Sequence, residues 1–431
     1  MYIDKIILKN VRGFDNLEFD LCRGDAKYAG WTVFTGDNGA GKSSLLRAIA
    51  IALTGRDVAR SLQPSFHGWI REGAEKEESK IELMILPEKR TDEFSEKGQT
   101  AYKKFPATLV LKSTENDTSI ELSGGLGNKR SLAQRGLWSA GSHGWFSCGY
   151  GPFRRVFGAS PEATRLMVGP TTERFVTMFQ EAASLFEVDQ WLRNLSHKKL
   201  EGKTAESQHL DLLLEILRDD LMPNQITVDR VDSDGLWLKD RNGLQLAWGE
   251  MSDGYRAALA LLADIIRHLI NAYGIEDLAK RGEDGKLQIV RSGVVMIDEI
   301  DAHLHPEWQR KIGFWLKEHF PNIQFLVTTH SPIICQAADE NGLFVLPEPG
   351  SNTEPRALSP DEYKKVIASR PDTILLTAAF GLQHTRSPRA VEGRAEYAKL
   401  MAKQRAGGEL TNAEQSKVRQ LQLFAVTGED L

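Results

Sequence analysis

The chain has 431 residues, with 54 Lys+Arg against 59 Asp+Glu for a formal net charge of -5, and 41% of it is hydrophobic. That length suits a large domain or two to three ordinary ones, and the near-balanced charge gives no bulk attraction to nucleic acid, although a local basic patch is invisible in such a total. Its three cysteines, Cys22, Cys148 and Cys335, are scattered and lack a C-x-x-C, which argues against a disulfide scaffold or a zinc site and for a reduced, cytoplasmic setting.

The N-terminal MYIDKIILKNVRGF alternates apolar and polar residues, so residues 2–9 are expected to be a strand and not a signal peptide, paired with a second strand over 15–21. No apolar run approaches the roughly 18 residues of a membrane span. Trp31 to Thr35 is expected as a buried strand and Lys42 to Leu53 as a helix, apolar almost all round and therefore packed on a sheet. Strands follow over 79–86 and 107–112. The Gly- and Ser-rich stretch 123–143 predicts a mobile loop, and Trp145 to Tyr150 a strand. Helical spacing over 172–221 predicts a small helical lid, too short for a long coiled coil. Short strands return over 225–247, with Asp-Gly and Asn-Gly turns at 234–235 and 242–243. Leu259 to Tyr273 and Pro306 to His319 are expected helices. They alternate with buried strands at Val294 to Ile297 and Phe325 to Thr328, an order that means a parallel sheet.

Four motifs carry chemistry. The first is VFTGDNGAGKSS, in which Gly36 to Ser43 reads G-x-x-x-x-G-K-S between a buried strand and a helix. Gly36 and Gly41 let the backbone turn its N–H groups toward phosphate oxygens, and the helix adds its positive dipole end. Asn38, Gly39 and Ser44 belong to the same nucleotide loop. Lys42 is placed to reach the β and γ phosphates and Ser43 to bind Mg²⁺. The second is VVMIDEIDAHLHP, where four apolar residues end in Asp298 and Glu299, carboxylates suited to holding Mg²⁺ and polarising an attacking water. The third is MSDGYRA, in which Ser252 and Gly254 at a helix start read either as an anion site or as a plain N-cap. The fourth is FLVTTHSP, with His330 just past a buried strand. His303 and His305 form H-x-H without a third ligand of suitable spacing, which favours a loop at a seam over a metal site.

These motifs, in this order, resemble the ATP-binding-cassette ATPases of the SMC/RecF class over about residues 1–345. IDEIDAHLHPEWQ, MSDGYRA and TTHSP look most like the OLD/PtuA/AriA-like ATPases of bacterial anti-phage defence. The resemblance implies an α/β P-loop NTPase fold: an ABC-type head with a mixed or parallel sheet, a short helical lid insertion and a helical C-terminal tail. It also implies a homodimer or higher homo-oligomer that sandwiches two ATP molecules, each held by Gly36 to Ser43 of one chain and Ser252 to Gly254 of the other. Asp298 and Ser43 would bind Mg²⁺, Glu299 would drive hydrolysis, His330 would sense the γ phosphate, and Arg12 in KNVRGF would lie near the nucleotide. The sequence departs from the pattern in three ways. CGYGPFRRV lacks the glutamine that usually touches Mg²⁺, leaving Arg154 or Arg155 to contact phosphate instead. His305 stands where an aspartate is usual. Long coiled coils are absent.

The expected organisation is an N-terminal lobe over 1–160, a lid over 161–224, a C-terminal lobe over 225–350 and a helical tail over 351–431 that could dock a partner. OLD-type nucleases add a metal-binding Toprim domain after the ATPase. Here AVEGRAE around Glu392 has no preceding apolar strand, and Ser387 to Arg405 reads as a charged helix, so a separate effector must supply any nuclease or toxin chemistry. The resulting expectation is an ATP-hydrolysing sensor or scaffold, Mg²⁺-dependent and not in a membrane, that controls such an effector. Two alternatives stand beside it: a RecF-like repair ATPase that binds DNA, and a nucleotide-stabilised assembly with little turnover.

Overall fold

The computed structural model describes residues 1–95, 103–113, 118–122, 130–156, 169–351 and 353–425. The chain opens with β1 (Tyr2–Val11), β2 (Phe14–Asp20), β3 (Gly30–Thr35) and helix α1 (Lys42–Leu62), then continues with β4 (Ser79–Leu86), β5 (Phe105–Ser113), β6 (Thr118–Leu122) and β7 (Ser147–Tyr150). Helices α2 (Phe186–Leu200) and α3 (Thr204–Arg218) lead to β8 (Thr227–Asp232), β9 (Gly235–Lys239) and β10 (Gln245–Ala247). Then come α4 (Asp253–Tyr273), β11 (Ala279–Arg281), β12 (Leu287–Ile289), β13 (Gly293–Ile297), α5 (Pro306–His319) and β14 (Ile323–Thr328). The order closes with β15 (Leu343–Val345), β16 (Arg356–Ala357), α6 (Pro360–Ala368), α7 (Pro388–Arg405) and α8 (Asn412–Ala425). Compact packing divides the chain into Met1–Ala368 and Ser369–Leu431. Among the described residues no helix is long and apolar enough to cross a membrane.

Two sheets build the first unit. One is antiparallel, in the order β2-β1-β4-β5-β6, and its strands alternate buried and open positions as a one-sided sheet must. The other runs β16-β15-β3-β14-β13-β7, parallel except for β16 at its edge. Every residue of β13 and β14 is buried, which explains their unbroken apolar runs. Helix α1 packs on β4 and β5 of the first sheet and on β7 and β14 of the second, which is why its stretch Leu45 to Leu53 is apolar almost all round. Gln324, buried in β14, joins the two sheets: its Oε1 accepts from the Ile3 N–H at 2.8 Å and its Nε2 donates to the Ile3 carbonyl at 2.9 Å. These bonds serve Ile3 where β1 bulges away from β4, so both ends of a buried amide are paired.

Helix α4 is anchored by a buried ionic cluster. Tyr150 on β7 donates to Asp264 Oδ2 at 3.0 Å, His268 lies 3.2 Å from the same carboxylate, and Arg267 pairs with Asp264 at 2.8 Å and Glu173 at 2.6 Å. Burial alone would raise the Asp264 carboxyl, but His268 and Arg267 hold it well below the usual carboxylate range.

Several expectations needed correction. Residues 130–143 are not a mobile loop: Ser131 caps a turn at Leu132–Arg135 with a full capping box, and the Trp138 indole donates to the Ala52 carbonyl at 2.8 Å. That ring fills the space at Gly55, whose φ of 75° breaks α1. The rest of that predicted loop, 123–129, lies outside the described residues. Strand β6 and the β11–β12 hairpin carry weak apolar patterns and were not expected. In the second unit, Ser387 caps α7, and α7 and α8 form an antiparallel pair with Lys403 bound to Glu414 at 2.8 Å.

Candidate functional site

Adjacent parallel strands end together on one rim of the second sheet. Tyr150 pairs with Ile297, Ile297 with Val327, and Thr328 with Phe34. The loops that follow therefore emerge side by side: 151–156 after β7, 298–305 after β13, 329–331 after β14 and 36–41 after β3. Ligands of open α/β sheets bind at this carboxyl rim.

Gly36, Gly39 and Gly41 have φ of 148°, 82° and 91°, which side-chain-bearing residues rarely adopt. Space is short as well. A Cβ on Gly36 would lie 2.4 Å from the Leu346 carbonyl oxygen, and one on Gly41 would lie 2.7 Å from the Phe14 ring. Helix α1 starts at Lys42 with no side-chain cap, so its first N–H groups face the loop. Asn38 and Gly39 are exposed at the tip, and Ser43 and Ser44 are half-buried on the first turn. The Lys42 ammonium donates to the carbonyls of Gly36 at 2.8 Å and Asp37 at 2.9 Å. Burial lowers its pKa, opposed by Glu299, Asp298, Asp37 and Asp301. The carboxylates singled out after β13 thus act on the lysine singled out after β3.

Asp298 is buried, and its Oδ1 accepts from the Thr328 hydroxyl at 2.5 Å; the same hydroxyl oxygen accepts from the Glu299 N–H at 2.7 Å. One threonine on β14 therefore orients both acidic residues. Glu299 has φ of 47°, a left-handed backbone that costs a non-glycine residue about 1–3 kcal/mol and persists only where surroundings enforce it. Downstream, Thr329 donates to Asp301 Oδ1 at 2.5 Å and the Ser331 hydroxyl donates to Gln309 at 2.6 Å. His330, between these anchors, is exposed at the rim. The hydroxyl of Ser43 and the carboxylate of Asp298 are hard oxygen donors, the kind Mg²⁺ takes, so the residues present fit that ion.

Arg12 also lies here. Its Nη1 is 3.5 Å from Ser44 Oγ, a long contact, and its guanidinium lies 4.3 Å over the Trp69 ring. Burial lowers its pKa and Arg47 lowers it further, so the edge of the loop is electropositive.

Ser252 and Gly254 open α4, outside the four loops that leave the carboxyl rim. Ser252 is the exposed N-cap of α4 without a side-chain capping bond. The nearest atom to a Cβ on Gly254 is the His303 carbonyl oxygen, and among the described residues no hydrogen bond or ion pair joins 252–254 to 36–44. A cleft of about 390 Å³ beside this helix start is lined by Phe153, Arg154, Arg155, Val156, Asp253, Ala257 and His303. A second, of about 440 Å³, adjoins the glycine loop between Phe14, Asn16, Ser44 and the β15–β16 hairpin loop at Glu348 and Pro349.

Arg154, Arg155 and His305, the departures from the family pattern, have distinct surroundings. Arg154 does not face the loop: it is buried and donates to the carbonyls of Gly151, Asp298, Glu299 and Ala302. Exposed Arg155 lines the 390 Å³ cleft, to which buried Arg154 also contributes. His305 caps α5, its Nδ1 accepting from the Glu307 N–H at 3.3 Å, which is work an aspartate also does. The reading from sequence missed Thr328, whose only signal was a small hydroxyl residue at a buried strand's end.

The parallel sheet, the glycine loop feeding α1 and the acidic end of β13 define an α/β fold of the P-loop NTPase type. Residues 176–336 match the family described as "AAA domain, putative AbiEii toxin, Type IV TA system", and residues 5–138 match an "AAA domain" family. The Septu protein PtuA of Bacillus mycoides (strain KBAB4) is 26% identical over 391 residues, covering 89% of this chain and 45% of that protein. The "Retron Ec83 probable ATPase" of Escherichia coli is 42% identical over 111 residues, covering 25% of this chain and 18% of that protein. The chain thus spans less than half the length of either relative. A solved SMC head bound to the C-winged helix domain of ScpA aligns at a TM-score of 0.46 and 16% identity, covering 84% of this chain and 99% of that one. The chain is thus similar to AAA-domain families over two separate stretches and to PtuA along most of its length.

Proposed function

We propose that the chain binds and hydrolyses ATP as an ATP-sandwich dimer in the cytoplasm, and that it serves as sensor or scaffold controlling a separate nuclease or toxin in anti-phage defence. The observation that carries the reading is the shared rim, where Lys42, Asp298, Glu299 and His330 leave neighbouring strands. In this reading the glycine loop and Lys42 hold the phosphates, and the 440 Å³ cleft takes the nucleoside. Ser43 and Asp298 would hold Mg²⁺, which when bound neutralises charge on the β- and γ-phosphate oxygens. Glu299 accepts a proton from the attacking water and His330 contacts the γ phosphate. Ser252, which is exposed, and Gly254, which is half-buried, open α4 and serve the nucleotide of a second copy.

Similarity to PtuA along most of the chain supports the defence role and a separate effector. DNA receives less support. In the lid, Lys198, Lys199 and Arg193 are bound to Glu206, Asp211 and Asp189 of the same chain. The test is Glu299→Gln with ATP and Mg²⁺, followed by light scattering, together with co-purification of the product of the adjacent gene. A trapped dimer and a co-purifying nuclease or toxin are expected. A chain that stays monomeric with ATP bound rules out the sandwich.

A further inference from the structure

Arg154 lies four residues beyond the end of β7, in the segment that lacks the expected glutamine. It is 4% exposed, and a buried guanidinium is unfavourable unless its donors are met. Its Nη1 donates to Gly151 O at 3.1 Å and Asp298 O at 2.8 Å, and its Nη2 to Glu299 O at 2.9 Å and Ala302 O at 3.2 Å. Burial lowers its pKa to about 10, opposed by Asp298, Asp301 and Glu299. All four acceptors are backbone carbonyls, and three belong to the loop that carries the acidic pair.

The identity of two acceptors matters most. The Asp298 carbonyl belongs to the peptide unit before Glu299, and the Glu299 carbonyl to the unit after it. One guanidinium therefore grips both peptide planes that flank the Glu299 Cα. The first plane is also held at its other end, where the Glu299 N–H donates to Thr328. With both planes fixed, φ and ψ of Glu299 are fixed, including its left-handed φ of 47°. An apolar residue would fill the same space without burying a charge, but it would leave those carbonyls unmet and the planes free to rotate.

We propose that Arg154 is a positioning residue: by holding both peptide units around Glu299, it sets the direction in which the Glu299 carboxylate meets the phosphate loop. This rests on the reading of Glu299 as the hydrolytic carboxylate. Arg154 touches no phosphate and acts only through the loop.

The experiment is a double-mutant cycle on the full chain with Arg154→Ala, Glu299→Gln and the pair, measuring kcat, KM, the Kd for Mg²⁺-ATP and Tm. Arg154→Ala is expected to lower kcat by roughly 10- to 100-fold, part of what a misaimed general base forfeits, with KM and Kd changed less than about threefold. In the Glu299→Gln background it should lower the residual rate no further, a non-additivity that a merely structural role would not produce. Should Arg154→Ala fail to fold, Arg154→Lys takes its place: a single ammonium nitrogen with three donors cannot span the four carbonyls that the two nitrogens of a planar fork reach, so a smaller fall in kcat with the same non-additivity is expected. Equal losses in both backgrounds overturn the proposal, as does ATP affinity falling in step with kcat. A silent Glu299→Gln, or a wild-type chain without ATPase activity, removes the function proposed above and this inference with it. An inactive Glu299→Gln beside fully active Arg154 variants sinks this inference alone.

Discussion

The Cα of Gly254 faces the carbonyl oxygen of His303 so closely that a Cβ there would lie 2.4 Å from it. This contact ties the start of α4 to the loop that carries Asp298 and Glu299 within a single chain. Backbone lies on both sides, so neither can yield as the tip of a flexible side chain would. His303 is itself held at a φ of 67°. Gly254→Ala should therefore displace the helix start or the loop while leaving the glycine loop intact. ATP affinity is expected to stay within about threefold and kcat to fall about tenfold. Steady-state kinetics beside calorimetry measure both, and wild-type turnover would show that the contact relaxes without consequence.

Lys42→Ala removes the one ammonium at the glycine loop. Because Lys42, among the described residues, bonds to the Gly36 and Asp37 carbonyls and sits beside Glu299 and Asp298, the fold should survive its loss. ATP binding and turnover should both collapse. Unchanged ATP binding by calorimetry, with an unchanged far-UV spectrum, would mean that the loop has another role.

Thr328 offers a finer test. Its hydroxyl donates to Asp298 and accepts from the Glu299 N–H, so Thr328→Val keeps the shape and deletes both bonds. The expected loss is about 1–3 kcal/mol of stability, since a buried N–H is left unmet, with a clear fall in kcat. Thr328→Ser keeps the hydroxyl and should recover most of both. Urea unfolding and kinetics on the two variants decide it, and equal behaviour of Val and Ser would remove the hydroxyl from the argument.

Local signals were legible in the sequence. Gly36 to Ser43 announce themselves because a left-handed turn needs glycine and a phosphate loop needs Lys42 at a fixed offset. Asp298 and Glu299 stand out because an apolar run ends in two carboxylates. The parallel sheet followed from runs such as GVVMI, whose every residue is buried. What stayed hidden is long-range and largely backbone. Arg154 reaches Asp298 across 144 positions, and its acceptors are carbonyls that any residue carries. The Gly254 contact also ends on a carbonyl. No residue type marks such an acceptor, so an arginine that serves the loop reads from sequence like an arginine that serves phosphate.

The buried cluster beneath α4 should govern stability more than chemistry. Asp264→Asn would leave Arg267 with Glu173 and Glu187 alone and would weaken the bond to His268. Breaking a buried pair by removing one partner costs about 3–5 kcal/mol. Because the Asp264 carboxyl is held below its ordinary range, its contribution is present above the unfolded carboxylate pKa and is lost as pH falls through the folded value. The wild type should thus lose stability toward strong acid more steeply than Asp264→Asn does. Parallel pH–stability curves for the two proteins would expose the mistake if the cluster contributes nothing.

The composite site itself can be tested by complementation. Ser252 is exposed at the start of α4 and, among the described residues, has no hydrogen bond to its own glycine loop, so a bulky Ser252→Arg should leave ATP binding through Lys42 intact. If Ser252 serves the partner's nucleotide, the Ser252→Arg homodimer has two obstructed sites and the Lys42→Ala homodimer has two empty ones. In a mixed dimer the lesions redistribute. One site takes both defects, and the other pairs an intact glycine loop with an intact Ser252. Mixing two inactive proteins should then restore part of the ATPase activity, up to about a quarter of the wild-type rate if chains exchange randomly at equal ratio and one site fires alone. Titrating one variant into the other should give a maximum near equal amounts, a curve that no property of either homodimer produces. A Ser252→Arg homodimer that hydrolyses ATP at the wild-type rate would reduce the motif to a helix cap and end the sandwich mechanism for this chain.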